Sequence, residues 1–232
     1  DAVLCDSPWE WVESLRARLR PGAKVVFVNG LDPAINEPIP PFPVDAVFRR
    51  EIDPGLSYKL PHRPLLMAAP SRWFNKARLE DSARDFDIFY SGYRSNPVRW
   101  EAVSKMFQTK KKHHSVGSTA SAIPYNTYLD ILRRTKLALC PPGAGSDCIR
   151  TWEVIACGAI PVMVGHPPRV RHPWFSSDEV FTCSVDELPE TLDRALSEDL
   201  TARRERLTKT ALEHHTTAAR ARTLLRAVGM LV

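Results

Sequence analysis

The chain has 232 residues, with 32 lysines and arginines against 27 aspartates and glutamates, which gives a formal net charge of +5 with neutral histidines. Hydrophobic residues make up 44% and charged residues 25%, so a disordered, collagen-like or coiled-coil chain is excluded. The longest apolar stretch, residues 154–164, is shorter than the roughly 20 residues that a membrane-spanning helix needs. We therefore expect no membrane span, and we leave open a targeting or anchor segment before Asp1, because the chain does not begin with methionine.

The cysteines favour a reducing compartment. Their number is odd, they are widely spaced and no two form a C-x-x-C pair, which indicates buried thiols rather than a disulfide framework or a zinc site. The five are Cys5, Cys140, Cys148, Cys157 and Cys183. We predict a cytoplasmic protein without a metal site.

The positive charge is concentrated at the end of the chain. Residues 201–232 hold seven basic and two acidic residues, so the first 200 residues are balanced at 25 against 25. A second basic run, Lys-Lys-Lys-His-His, occupies 110–114. No zinc-finger, helix-turn-helix or RNA-binding pattern accompanies this charge, so nucleic acid is kept only as a minor alternative partner.

The first part of the chain begins with a β-α-β pattern. Apolar runs and turn residues predict strands at 2–5, 24–29 and 44–49, a helix over 8–20, and an extended proline-rich loop over 30–43. Residues 53–80 are loop-rich and contain four more prolines. We therefore place a domain boundary near residue 80.

The remainder of the chain has a regular rhythm of strands and helices. Strands are predicted at 86–90, 114–116, 136–140, 160–164 and 180–183, and helices at 97–108, 125–134, 147–157, 186–198 and 201–228. Strands that alternate with helices are typical of a doubly wound parallel sheet.

A glycine-rich turn at 141–146, Pro-Pro-Gly-Ala-Gly-Ser, separates a predicted strand from a predicted helix. Ligands of parallel sheets bind beyond the carboxyl ends of the strands, and glycines followed by a helix N-terminus suit a phosphate group. Arg150 lies one turn into the helix and could bind a diphosphate, while Glu153 on the same face could accept hydrogen bonds from ribose hydroxyls. The alternative is that Arg150 and Glu153 pair with each other and the glycines serve only a tight turn.

Two common nucleotide motifs do not fit this segment. A P-loop requires a lysine after its glycines, and residues 143–147 have none nearby. A dinucleotide fingerprint requires a third glycine and an early strand, and both are missing here.

The same residues resemble a known family. An apolar strand, Pro-x-Gly, Ser-Asp, Arg-x-x-Glu and Gly-Ala-Ile-Pro-Val over 137–162 are similar to the nucleotide-sugar-binding segment of GT-B glycosyltransferases, nearest to the exostosin-like and CgeB-like groups. The likeness extends loosely over 84–200 through strand order. It implies an α/β fold with Rossmann-like parallel sheets, a short or partial N-terminal acceptor-side domain at 1–80 and a C-terminal nucleotide-sugar-binding domain at 81–232.

The resemblance also implies a reaction and a set of donor-site residues. The enzyme would move a sugar from a nucleoside diphosphate-sugar, bound as substrate and with no further cofactor, to a hydroxyl group of a glycan or small molecule. The donor would be held by its phosphates, its ribose and its nucleobase. The implied contacts are Gly143, Gly145, Ser146, Arg150, Gly92 and Arg94 for the diphosphate, Glu153 for the ribose and Tyr125 for the nucleobase.

Some features of the family pattern are missing. No catalytic base stands out; His62 and Asp6 are the candidates, although a surface histidine and a helix cap explain them as well, and His166 and His172 could line the cleft. Pro161 occupies the place of the second glutamate in a Glu-x7-Glu motif, so retention or inversion stays open. Two alternatives are a noncatalytic nucleotide-sugar-binding scaffold and a nucleic-acid-associated sugar transferase. The oligomeric state is also open.

Overall fold

The structure is a computed structural model that describes residues 2–5, 17–30, 43–50, 52, 57, 61–74, 83–92, 97–109, 111–116, 123–143, 145–166 and 175–231. Most of the helix predicted over 8–20 and of the loop predicted over 30–43 lies outside these residues, and residues 17–20 form a turn. The predicted boundary near residue 80 also lies outside them and stays a prediction. Among the described residues, no helix is long and apolar enough to cross a bilayer.

The N-terminal sheet has four parallel strands in the order β1-β2-β3-β4. They are β1 (Ala2–Cys5), β2 (Lys24–Asn29), β3 (Ala46–Arg49) and β4 (His62–Pro64). The first three agree with the predicted strands. β4 was not predicted, because prolines stand at 61 and 64; it lies at the sheet edge, where a residue without an N–H group is tolerated.

The C-terminal sheet has five parallel strands in the order β6-β5-β7-β8-β9. They are β5 (Phe86–Ser91), β6 (His113–Val116), β7 (Thr135–Leu139), β8 (Ile160–Val164) and β9 (Phe181–Cys183). All five were predicted to within about one residue at each end, which is the usual uncertainty of such boundaries. The strand order reverses between β5 and β7, so the chain crosses to opposite sides of the sheet from this point.

Helices cover both faces of the C-terminal sheet. They are α1 (Pro97–Met106), α2 (Tyr125–Arg133), α3 (Ile149–Ala156), α4 (Leu188–Ser197), α5 (Thr201–His214) and α6 (Thr217–Ala227). Leu137 and Leu139 of β7 join one buried cluster with α1 and α4, while Ala138 between them joins another with α2, α3 and α5. This alternation follows from the period of two in a strand. The three-layer arrangement confirms the predicted doubly wound sheet.

The prediction of one helix over 201–228 is wrong, because α5 and α6 are separate helices with a break at His215 and Thr216. The Thr216 hydroxyl caps α6 by accepting the Ala219 N–H at 3.1 Å. Thr216 also forms a bridge with Ala69, whose carbonyl accepts the Thr217 N–H at 3.3 Å. The break therefore depends on a segment about 150 residues earlier in the chain.

The second of these helices covers the N-terminal sheet. Leu224 and Ala227 of α6 pack with Val26 of β2 and Phe48 of β3. The backbone carbonyl of Ala227 accepts a hydrogen bond from Arg63 in β4 at 3.4 Å. The C-terminal helix α6 thus contributes to the hydrophobic core of the N-terminal sheet.

Candidate functional site

Two loops meet where the strand order reverses. β5 ends at Ser91 and is followed by Gly92, while β7 ends at Leu139 and is followed by the glycine turn at 141–146. β5 and β7 are neighbours in the sheet. Such a reversal opens a crevice at the carboxyl ends of the strands, which is the usual binding place in doubly wound sheets.

Arg150 and Gly92, which were predicted separately, lie against each other. A Cβ atom added to Gly92 would collide with Nη2 of Arg150 and lie 2.9 Å from its Cζ. Gly92 has a φ of 148°, in a region that residues with side chains rarely adopt. A glycine is therefore required here for the arginine to take its position.

The Arg150 guanidinium has an unused hydrogen-bond donor. Its Cζ lies 5.2 Å from the centroid of the Tyr90 ring, within range of a cation–π contact. Nη1 is buried and has no hydrogen-bond partner among the described residues. A buried guanidinium nitrogen without a partner is costly, which makes this position attractive for an anion.

Glu153 lies one turn further along α3 and is held by two tyrosines of α2. Its Oε1 accepts a hydrogen bond from the Tyr125 hydroxyl at 3.0 Å, and its Oε2 accepts one from the Tyr128 hydroxyl at 2.9 Å. Each carboxylate oxygen has two lone pairs and can accept one more bond. Arg150 and Glu153, both in the described part of the chain, form no ion pair with each other, so the alternative that they simply pair is not observed.

The tyrosine pair has a defined protonation state. Burial, together with the neighbouring Glu153 carboxylate, raises the pKa of Tyr125 to about 12. The same two causes raise the pKa of Tyr128, which is more deeply buried. Both hydroxyls therefore stay protonated near neutral pH and donate to the carboxylate.

The glycine turn is closed by hydrogen bonds of its own. The Gly143 N–H donates to the Gly145 carbonyl at 2.8 Å and to the Cys148 sulfur at 3.1 Å. The Arg99 Nε donates to the Pro142 carbonyl at 2.9 Å. Because the Gly143 amide is already bonded within the turn, its predicted contact with donor phosphates stays a prediction, as do those of Gly145 and Ser146.

Asp147 joins this turn to the segment between the two sheets. One carboxylate oxygen accepts the Trp152 indole N–H at 2.9 Å and the other accepts the Met67 backbone N–H at 2.5 Å. Burial raises the pKa of Asp147, although both hydrogen bonds oppose the shift. Asp147 of the Ser-Asp pair thus links α3 to the segment between the two sheets.

The structure describes two of the five remaining predicted residues, His62 and His166. Asp6 and Arg94 are outside the described residues, as is His172. His62 begins β4 at the edge of the N-terminal sheet, and its assignment as a base stays a prediction. His166 is adjacent to the glycine turn, since its Nε2 lies 2.7 Å from the Cys140 carbonyl oxygen.

Sequence reasoning missed three residues of this site: Tyr128, Arg99 and Cys148. The spacing of Tyr125 and Tyr128, three residues apart in a predicted helix, was the only available signal. Among the described cysteines, Cys140, Cys157 and Cys183 are buried and Cys148 is half-buried, and none forms a disulfide. No cluster of three metal-ligating side chains occurs among the described residues.

The basic C-terminal residues are largely bonded within the molecule. Arginines of α5 and α6 donate to backbone carbonyls: Arg203 to Ser177 at 2.6 Å, Arg204 to Gly158 at 2.8 Å, Arg206 to Asp178 at 3.2 Å and Arg220 to Leu66 at 3.0 Å. These guanidinium groups satisfy carbonyls that the helices and turns leave unpaired. These arginines of α5 and α6 therefore stabilise the fold, and their presence does not require binding to nucleic acid.

Two parallel Rossmann-like sheets with a candidate site at a strand reversal are the arrangement of the GT-B class of glycosyltransferase folds. Residues 70–226 match the family model described as "Glycosyl transferase-like". This match spans more than half of the chain, so the chain belongs to that family and to the sugar-transferring proteins in general. The narrower resemblance to exostosin-like and CgeB-like groups stays a prediction.

Solved structures agree with this fold. A glycosyltransferase from Rickettsia africae ESF-5 is similar with a TM-score of 0.60 and 12% identity, over 98% of this chain and 76% of that chain. TarM is similar with a TM-score of 0.52 and 8% identity, over 98% of this chain and 54% of that chain. No curated protein matches the chain. At these identities the likeness concerns the fold alone.

Proposed function

We propose that this protein transfers a sugar from a nucleoside diphosphate-sugar to a hydroxyl acceptor. The observation that carries the proposal is the placement of Arg150 and Glu153 on consecutive turns of α3 at the strand reversal. One offers a buried guanidinium nitrogen that is unbonded among the described residues, and the other offers a carboxylate aligned by two hydroxyl groups.

The spacing of these groups suits a nucleoside diphosphate. Residues three apart on a helix have Cβ atoms about 5–6 Å apart, which allows one to contact the diphosphate while the other contacts the adjoining ribose. A carboxylate can accept hydrogen bonds from two ribose hydroxyls at once. Tyr125 is 48% exposed beside Glu153, so its ring is available to a nucleobase.

The chemistry that this site supports is stabilisation of the leaving group. As the bond between the anomeric carbon and the diphosphate oxygen breaks, the electron pair and the negative charge move to the departing diphosphate. The Arg150 guanidinium and the N-terminal end of α3 would stabilise that charge. The acceptor oxygen forms the new bond to the anomeric carbon and releases its proton to a base, for which His62 and Asp6 remain the candidates.

Nucleotide binding tests the donor site directly. We expect one of UDP, GDP, ADP or dTDP, or its sugar conjugate, to raise the melting temperature of the wild-type protein, because a ligand bound by the native state stabilises it. Glu153→Gln should weaken that ligand about tenfold, since an amide replaces one acceptor oxygen with a donor. Glu190→Gln on the exposed side of α4 is the matched control and should bind like wild type.

Turnover separates an enzyme from a binding module. With the donor identified by binding, slow release of the diphosphate from its sugar conjugate should be measurable and should be abolished by Arg150→Ala. Binding without any release, even with hydroxyl acceptors present, would favour the noncatalytic scaffold. If none of the nucleotides stabilises the wild-type protein, the proposed function is wrong.

A further inference from the structure

Two side chains with no assigned role, those of Arg99 and Cys148, form hydrogen bonds with the glycine turn. A Cβ atom added to Gly143 would lie 2.9 Å from Nη2 of Arg99 and 2.9 Å from Sγ of Cys148. Both distances are shorter than Cβ contacts in proteins, so a side chain at Gly143 would force the Arg99 guanidinium or the Cys148 thiol to move. Gly143, the first glycine of the turn, therefore lies against both the Arg99 guanidinium and the Cys148 thiol.

The thiol of Cys148 closes the turn. It accepts the Gly143 N–H at 3.1 Å and donates to the Gly145 carbonyl at 3.3 Å, so it uses both its acceptor and its donor capacity. Cys148 is also the N-cap residue of α3, two positions before Arg150. Any movement of the thiol would thus move the turn and the first residues of the helix together.

Arg99 connects the turn to the neighbouring loop. It belongs to α1, which follows β5, and its Nε donates to the Pro142 carbonyl at 2.9 Å in the turn that follows β7. Its side chain is buried, with 8% of the residue exposed. A fixed guanidinium therefore spans the strand reversal and brings a second positive charge close to the turn.

We propose that Arg99 and Cys148 are positioning residues that preorganise this turn for the diphosphate of the donor. The inference rests on the proposed function, since it assumes a nucleoside diphosphate at Arg150. A loop held in its binding conformation loses little freedom when the ligand arrives. The effect should be confined to the phosphates, because Glu153 and its tyrosines form no part of the turn.

The test compares the affinities of a nucleoside diphosphate and its nucleoside, measured by calorimetry with UDP, GDP, ADP and dTDP against uridine, guanosine, adenosine and thymidine. Cys148→Ala should weaken the diphosphate about tenfold and change the nucleoside less than about twofold, because it removes two hydrogen bonds in the turn alone. Cys148→Ser should recover most of the loss, since a hydroxyl also donates and accepts.

Cys157→Ala provides a matched control, because it removes a buried thiol at the other end of α3. It is expected to leave the ratio of the two affinities unchanged even if it lowers the melting temperature. Arg99→Lys is a second variant that keeps the charge and loses the planar fork, and it should weaken the diphosphate about threefold. This variant keeps the test decisive if Cys148→Ala fails to fold.

The outcomes are distinguishable. Equal weakening of diphosphate and nucleoside in Cys148→Ala would mean a general structural role and would overturn the inference, as would unchanged affinity in both Cys148→Ala and Arg99→Lys. In either case the proposed function would stand. A wild-type protein that binds neither ligand would instead overturn the proposed function, and the inference with it.

Discussion

At the two edges of the C-terminal sheet where its strands begin and end, Arg84 and Arg204 differ from Arg150 in how their hydrogen-bond donors are used. At the edge where the strands begin, Arg84 donates to three backbone carbonyls and Arg204 to another; the acceptors are Leu132, Thr135, Cys157 and Gly158. At the edge where the strands end, the Nη1 of Arg150 has no partner among the described residues. The first pair serves the fold, whereas the second edge leaves an arginine donor for a ligand.

The difference follows from the polarity of the helices. Helices α2 and α3 end at the first edge, where their last carbonyls lack partners and accept from a guanidinium. At the second edge α3 begins, and its free groups are N–H donors that offer nothing to another donor. Burial and the charge of Arg204 lower the pKa of Arg84 to about 10, so it is still protonated at neutral pH.

Replacing Arg150 should have the largest effect on function. We expect Arg150→Ala to lower diphosphate release from the sugar donor about 100-fold or more, as does removal of other groups that stabilise developing negative charge. The melting temperature should change little, because Nη1 gives up no hydrogen bond with the described residues. Turnover within about threefold of wild type would contradict the division between the two edges.

Replacing Arg84 should lower the stability of the protein and leave its turnover nearly unchanged. Arg84→Ala leaves several buried carbonyls without a donor and should lower the free energy of unfolding by about 2–3 kcal/mol. A loss of this size lowers the melting temperature by about 5–10 °C in a protein of this length. Turnover measured well below that temperature should stay close to wild type.

Arg194→Ala, at an exposed position of α4, is the control for this prediction and should change stability by no more than about 0.5 kcal/mol. A variant at Arg84 that lost turnover but kept its stability would break the comparison. Thermal unfolding and donor turnover, recorded on the same preparations, measure both quantities.

The smallest expected effect is the pH dependence of folding stability that the Tyr125 hydroxyl contributes. Tyr125 has a pKa of about 12 in the folded protein against an ordinary value of 10.0, so above pH 10 the unfolded chain loses the proton first. The hydroxyl's contribution to stability is complete below pH 10 and is lost as the pH rises toward 12. Chemical denaturation at pH 9, 10 and 11 should show a shallower decline for Tyr125→Phe than for wild type. Parallel declines would contradict the hydrogen bond to Glu153.

Most of the C-terminal fold could be predicted because its signals are local. The strands of the second sheet are short apolar runs between turn residues, and the glycine turn before Arg150 is visible as letters in a row. The break between α5 and α6 could not be predicted in the same way. It depends on the Ala69 backbone, and its local signal is limited to His-His-Thr-Thr at 214–217, which are weaker helix formers than the residues on either side and include a threonine suited to an N-cap.

The predicted donor-site residues also divide into those indicated by local spacing and those brought together only by contacts between distant segments. Arg150 and Glu153 share a helix face, so their spacing alone indicated one site. Gly92 lies almost 60 residues earlier in the chain, and only the pairing of β5 with β7 brings it against Arg150. Arg99 and Tyr128 carried no motif, because each contributes through a partner supplied by another segment. Cys148 lies close to its partners in the chain but matches no motif.

The parallel α/β architecture, the glycine turn and the sugar-transferase resemblance follow from the sequence, since they depend on periodicity and on residues close together in the chain. The tertiary structure was needed to show that Arg84 and Arg204 donate to backbone carbonyls, while Nη1 of Arg150 has no partner among the described residues. That distinction depends on where the ends of helices meet in space, and hydrogen bonding and burial at those ends are set by packing between distant segments.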